Sequence, residues 1–193
     1  EYYEPVLYAD RQFVKTVENF GLPFKSINVV DFSGKGVSKS LWSFPNIWAM
    51  KEATPPFVHL DNDFLLFDKP PEFSSMLFER EFDISQDENC KAAVEEVKQL
   101  KNSPPIWNPN LEKLLTCGIV GCKNAEWKSK WIETAFDWMK KTEKTFGKGK
   151  NLPHATVFEE HLAASVAEKI GSYSTISNVG ARPTEKQHSY VHL

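Results

Sequence analysis

Pro56-Phe57-Val58-His59-Leu60-Asp61-Asn62-Asp63-Phe64-Leu65-Leu66-Phe67 delivers two carboxylates into an otherwise apolar run. Phe57 to Leu60, closed off upstream by Pro55-Pro56, reads as a buried strand. Alternation along a strand puts residues two apart on one side, about 6–7 Å from each other, so Asp61 and Asp63 share a side. Two anions that close repel and are costly to desolvate unless a cation compensates. A hard divalent ion with oxygen ligands does so, and its open positions accept phosphate oxygens. The plainer alternative is that both Asp residues cap the turn after the strand. His59, in mid-strand, reads as a core histidine.

Working outward, the upstream sequence supplies the context that sets the fold. Pro5 to Ala9 is a short apolar strand. Asp10 can cap a helix whose stripe is Phe13, Val14, Val17 and Phe20, ended by Gly21 and Pro23. Ser26 to Phe32 is a β-branched second strand, followed by Ser33-Gly34-Lys35-Gly36. Lys39 to Ala53 reads as a helix with Leu41, Phe44, Trp48 and Met50 inside and Pro45 as an irregularity. Strand, helix, strand, helix, strand predicts a parallel sheet with right-handed crossovers. In such open sheets ligands sit beyond the carboxyl ends of the strands, where Asp61 and Asp63 lie.

Downstream the pattern is less regular. Cys90 to Leu100 predicts an amphipathic helix with Ala93, Val94, Val97 and Leu100 on one face. Asn102 to Asn110 is a proline-rich loop, and Leu114 to Val120 is β-like, with Gly118 and Gly121 marking either a bulge or a close backbone approach to a ligand. Trp127 to Glu143 reads as a helix packing Trp127, Trp131, Ala135 and Trp138 in the core, and Phe146 to Lys150 as a loop. Thr156 to Ile170 is a further helix, stopped by Gly171. Thr156-Val157-Phe158-Glu159 fits a capping box. Glu159 equally suits the role of a base or of a group orienting a hydroxyl, with Glu160 beside it.

Bulk properties exclude several classes. With 193 residues, 41% hydrophobic and 25% charged, the chain suits one soluble domain with a sizeable core. A formal charge of −3 with scattered Lys and Arg does not suit nucleic-acid binding. Aromatic residues, 13% of the chain, suit a core first and a carbohydrate site second. Cys90, Cys117 and Cys122 form no CxxC pair, so they read as reduced thiols of a cytoplasmic protein. No apolar run is long enough to span a membrane. The start at Glu1 rather than Met leaves room for an upstream segment.

Four stretches together resemble the DxD-containing glycosyltransferases of the GT-A fold, nearest to the family-8-like and capsular-polysaccharide groups and their uncharacterised bacterial relatives. They are Leu7-Tyr8-Ala9-Asp10 with Gly21-Leu22-Pro23-Phe24, Phe57 to Asp63, Cys117-Gly118-Ile119-Val120-Gly121, and Phe158-Glu159-Glu160-His161-Leu162. Tyr190-Val191-His192 stands where such proteins place a metal-binding histidine. The chain departs from the pattern at Cys117, at Cys122 and at Asn46, where relatives often carry a basic residue.

The resemblance implies an α/β, GT-A-like sandwich with a mainly parallel central sheet flanked by helices. It implies one domain over 1–193, with 1–67 as the nucleotide and metal half and 68–193 as the acceptor half. Asp63 and His192 would ligate Mn²⁺ or Mg²⁺, with Asp61 reaching the ion through water or holding the donor ribose. Tyr8, Asp10, Asp61 and Gly118 would bind the nucleotide-diphosphate sugar, and Glu159 or Glu160 would serve the glycan or other hydroxyl acceptor. Two other classes compete. Haloacid-dehalogenase-type hydrolases also place DxD after a strand, but the downstream Asp pair they use is missing. A non-catalytic relative would bind nucleotide or sugar without transfer.

Overall fold

Asp10 closes the first strand and opens the first helix. In a computed structural model, describing residues 4–30, 41–61, 64–66, 70–142, 145, 153–176 and 190–192, the chain forms two compact units, Glu1–Val37 and Ser38–Leu193. The first contains β1 (Val6–Ala9), α1 (Arg11–Phe20) and β2 (Ser26–Val29). Asp10 Oδ1 accepts the Gln12 and Phe13 amides at 2.8 Å, satisfying donors that a helix start leaves unpaired. Gly21 ends α1 at φ 62°, where a side chain would strain the backbone. β1 and β2 pair in parallel, from Val6 opposite Ser26 to Ala9 opposite Val29, as the strand-helix-strand order predicts. Val14 and Val17 are buried, whereas Phe13 and Phe20, expected on the same stripe, are exposed.

The second unit holds a four-stranded sheet in the order β3 (Phe57–Leu60), β6 (Lys113–Cys122), β5 (Met76–Asp83), β7 (Tyr173–Thr175). A separate pair joins β4 (Phe64–Leu66) to β8 (Tyr190–His192), antiparallel. The protein is therefore mixed α/β, with small sheets. The expected mainly parallel sheet is not what this unit builds. β3 runs antiparallel to β6, β6 antiparallel to β5, and only β5 and β7 are parallel. The physical reason lies in β5, which the sequence reading passed over. Met76, Leu77 and Phe78 are fully buried and Glu79 nearly so, and this strand takes the place between β6 and β7.

Helices cover the core. α2 (Phe44–Glu52) starts at Phe44 rather than near Lys39, and Pro45 falls in its first turn. A missing N–H costs nothing there, so Pro45 initiates the helix instead of disturbing it. α3 (Glu88–Lys98) is capped by Asp87 and buries Ala93, Val94 and Val97. α4 (Ala125–Trp127), a π-helical stretch (Lys128–Glu133) and α5 (Thr134–Thr142) follow one another. They bury Trp127, Trp131 and Trp138. Phe78 packs its ring against Trp127 and Trp131 at 5.9 and 5.3 Å. α6 (His154–Thr156), a second π-helical stretch (Val157–His161) and α7 (Leu162–Ile170) complete the layer. All three cysteines are free and buried. Among the described residues no helix is long and apolar enough to cross a membrane. The expected loop at 146–150 lies outside the described residues.

Candidate active site

Asp61 sits one residue beyond β3, fixed at backbone and side chain alike. Its N–H donates to the Gly118 carbonyl at 3.0 Å, continuing the β3–β6 ladder past Leu60 and Ile119. Asn46 of α2 donates its Nδ2–H to Asp61 Oδ1 at 2.8 Å. His59 Nε2 lies 3.3 Å from the same oxygen. The alternation that pairs Asp61 with Asp63 also puts His59 on that side, and Asp61 is the partner of this part-buried histidine.

Asp63 lies outside the described residues. The strand that follows it is β4, and its register with β8 puts Phe64, the next residue in sequence, opposite His192. Directly opposed residues of an antiparallel pair have Cα atoms about 4.5–5.5 Å apart. The long-range pairing therefore brings His192 to the start of β4, 129 sequence positions after Asp63 by subtraction of the two residue numbers.

β6 carries an irregularity beside Asp61. Phe78 pairs with Val120 and Arg80 with Thr116, so Cys117, Gly118 and Ile119 stand against Glu79 alone. Gly118 thus marks a bulge, one of its two sequence readings. Bulges bend a strand and re-aim its groups. Here the carbonyl of Gly118 turns to Asp61, and the N–H of Cys117 donates to Glu160 Oε1 at 3.3 Å. Gly121 serves packing. A Cβ there would fall 2.5 Å from Phe73 Cζ and 2.9 Å from Leu77 Cβ.

The π-helical turn supplies the other two acids. The helix already begins at His154, so Thr156 is not an N-cap and makes no capping hydrogen bond. The capping-box reading of Glu159 is overturned. π-turns widen a helix locally and recur at functional sites. This one is held by the Trp131 indole N–H, which donates to the Glu159 carbonyl at 2.9 Å, and by Phe158 packing edge-on to Trp138 at 4.6 Å. Glu159 is 1% exposed, and its Oε1 has no hydrogen-bond partner among the described residues.

These segments form one electrostatic group. Burial pushes the Glu159 carboxyl well above its ordinary range, and Glu160 and Asp61 add to the effect while the Ser43 hydroxyl opposes it. Burial also raises Glu160, to about 8, aided by Glu79 and Asp61 and opposed by the Cys117 N–H and Arg80. Burial and the same acids raise the Cys117 thiol, so it is no nucleophile. Among the described residues no three His, Cys, Asp or Glu side chains converge as a metal site. The Oε1 without a partner among the described residues and the raised acids suit a site that receives a cation or an O–H donor, and carboxylate oxygens are the donors that Mn²⁺ or Mg²⁺ takes.

Of the residues singled out in the sequence, Asp61, Gly118, Glu159 and Glu160 come together around the β6 bulge. Tyr8 and Asp10 belong to the first unit, on β1 and immediately after it, with Asp10 Oδ1 engaged as the helix cap. Glu79 and Asn46 were missed. Glu79 gave no signal because its strand was not recognised, and Asn46 showed only as a departure from a basic residue.

Comparison with known proteins gives one result. The chain belongs to DUF6734, a family of unknown function, which matches residues 1–189. No curated protein and no solved structure matches it.

Proposed function

We propose that this DUF6734 member is a metal-dependent glycosyltransferase of GT-A type, acting in the cytoplasm, that moves a sugar from a nucleotide diphosphate to an acceptor hydroxyl. One observation supports this most. Asp61, Gly118 and the Glu159–Glu160 pair come from three distant segments that the DxD resemblance singles out separately, and they meet around one bulge. The register of β4 with β8, which brings His192 opposite the residue after Asp63, agrees with the same reading.

Asp63 and His192 would hold the ion, with Asp61 beside them. A bound Mn²⁺ or Mg²⁺ would neutralise charge on the departing diphosphate. The chain's own groups do the rest. Asp61, fixed by Asn46 and by Gly118, orients the donor side. Glu159 or Glu160 accepts the proton of the acceptor hydroxyl as its oxygen bonds to the sugar C1 and the bond from C1 to the phosphate oxygen breaks. A carboxyl raised towards neutrality is matched to that proton transfer. Tyr8 and Asp10 are assigned to the nucleotide by resemblance.

The test is a thermal-shift panel of UDP-, GDP- and CDP-sugars with Mn²⁺, followed by turnover assays with the responding donor. Mn²⁺ should raise the melting temperature by ligand linkage, and Asp63→Ala should abolish the rise. Equal responses from wild type and variant would refute the metal site. Metal-dependent nucleotide binding without turnover of any donor would make the chain a passive binder.

A further inference from the structure

His161 ends the π-helical stretch, and its ring is fully buried. Both ring nitrogens hold one segment, residues 104–111, which runs between α3 and β6. The Trp107 indole N–H donates to Nδ1 at 2.7 Å, so Nε2 bears the ring proton and donates it to the Leu111 carbonyl at 3.0 Å. α7 fastens the same segment. Ser165 Oγ accepts the Asn108 N–H at 3.1 Å, and Glu168 Oε2 accepts the Asn108 side-chain N–H at 2.8 Å. Trp107 in turn covers Trp138 at 5.0 Å between ring centroids, and Trp138 packs on Phe158, the residue before Glu159.

In this arrangement the ring has no place for a second proton. Nδ1 faces an indole, which donates and cannot accept, so protonation would set two N–H groups against each other at a buried site. Residues 104–111 carry no titratable side chain of their own. Burial holds His161 below its ordinary value of 6.5, with Lys98 of α3 acting in the same sense and the Leu111 carbonyl and Glu168 of α7 opposing. Glu159 and Glu160 on the same turn, and the Cys117 thiol on β6, are raised by burial and keep their protons below that value. His154 of α6 is turned to Glu96 of α3 at 2.7 Å. We propose that residues 104–111 form an acid-released strap over the back of the π-helical turn, closed while His161 is neutral and let go when its ring takes a second proton at Nδ1 and parts from Trp107. With the strap open the ring titrates near its ordinary value. The open form therefore binds the proton first as pH falls below 6.5, and each further unit favours opening about 10-fold until the closed form also binds it.

Hydrogen exchange of the full chain, followed by NMR from about pH 7.5 to 5, reads the strap directly. The reporters are the amides of Trp107, Asn108 and Leu111, which donate to the Pro104 carbonyl, Ser165 Oγ and the Asn108 carbonyl. Corrected for intrinsic exchange, their protection should stay level above pH 6.5 and fall about 10-fold per unit below it, always lying under that of Leu77 and Val120 in the central strands. His161→Gln keeps an N–H for the Leu111 carbonyl but has no ring to titrate, so protection at the strap should no longer follow pH. Trp107→Phe removes the opposing N–H, which should raise the His161 pKa and flatten the dependence. Imidazole nitrogen shifts of the wild type need no variant, and should show Nδ1 without a proton at pH 7.5. Wild-type protection indifferent to pH, an equal fall in His161→Gln, strap amides that exchange only together with the central strands, or a proton on Nδ1 at neutral pH would each overturn the strap.

Discussion

Replacing Glu160 by Gln removes an ionisation while keeping the shape and the oxygen that accepts the Cys117 N–H. In the fold this carboxyl titrates at about 8, against an ordinary value of 4.5. The raised value sets the sign. Below the ordinary value both folded and unfolded chains hold the proton, and the group costs nothing. As pH rises through 4.5 the unfolded chain releases its proton while the folded chain keeps it, so stability falls until the folded group also ionises near 8. Each unit of that window is worth about 1.4 kcal/mol, giving a ceiling of ~5 kcal/mol for a fully buried group. Glu160 is only half-buried by exposure, so solvent screening reduces this to roughly 2–4 kcal/mol. The Gln variant, without metal, should match wild type at pH 4.5 and exceed it increasingly towards pH 8. At about 2–4 °C per kcal/mol for a chain of this size, the gain in melting temperature near pH 8 is roughly 5–15 °C. Scanning calorimetry in the presence of a chelator, from pH 4.5 to 8.5, measures it. Parallel pH profiles for the two proteins would show that the acids around the bulge are neither crowded nor desolvated, and the electrostatic basis of the site would fall.

Other outcomes test separate parts of the structure. Mn²⁺ should flatten the wild-type pH profile, because binding to deprotonated acids releases protons, detectable as a proton yield in calorimetry performed in buffers of different ionisation heat. Thr156→Val should cost well under the ~1 kcal/mol expected for a lost N-cap, by denaturant titration, since the helix starts at His154. Gly121→Ala forces Phe73 and Leu77 apart and should destabilise the second unit by roughly 1–3 kcal/mol in the same assay, without altering Mn²⁺ affinity. Trp107→Phe removes the indole N–H that donates to His161 Nδ1 at 2.7 Å, leaving a buried acceptor unpaired at a cost of about 1–3 kcal/mol.

The sequence by itself determined the features that short-range chemistry controls. Asp10 as a cap, Gly21 as a helix end, the parallel β1–α1–β2 unit, the buried Trp stripe and the arrival of Asp61 at the end of a strand all follow from groups a few residues apart. Capping, positive φ and apolar periodicity act over about one turn or one alternation, so they are written locally. Asp63 was likewise read from its two-residue spacing to Asp61.

Only the tertiary structure decided the rest. Met76–Asp83 mixes apolar and acidic residues, and its place in the middle of the sheet became visible only with β6 on one side and β7 on the other. The bulge at Cys117–Ile119 is a difference in register between two strands, and so is written in neither. Thr156 and Glu159 carry the spacing of a capping box, yet packing of Ala155, Val157 and Phe158 in the core extends the helix upstream to His154 and leaves the carboxylate buried. Pairing of Phe64 with His192 and contact of Asn46 with Asp61 join residues far apart in the chain, whose proximity depends on how the strands and helices between them pack.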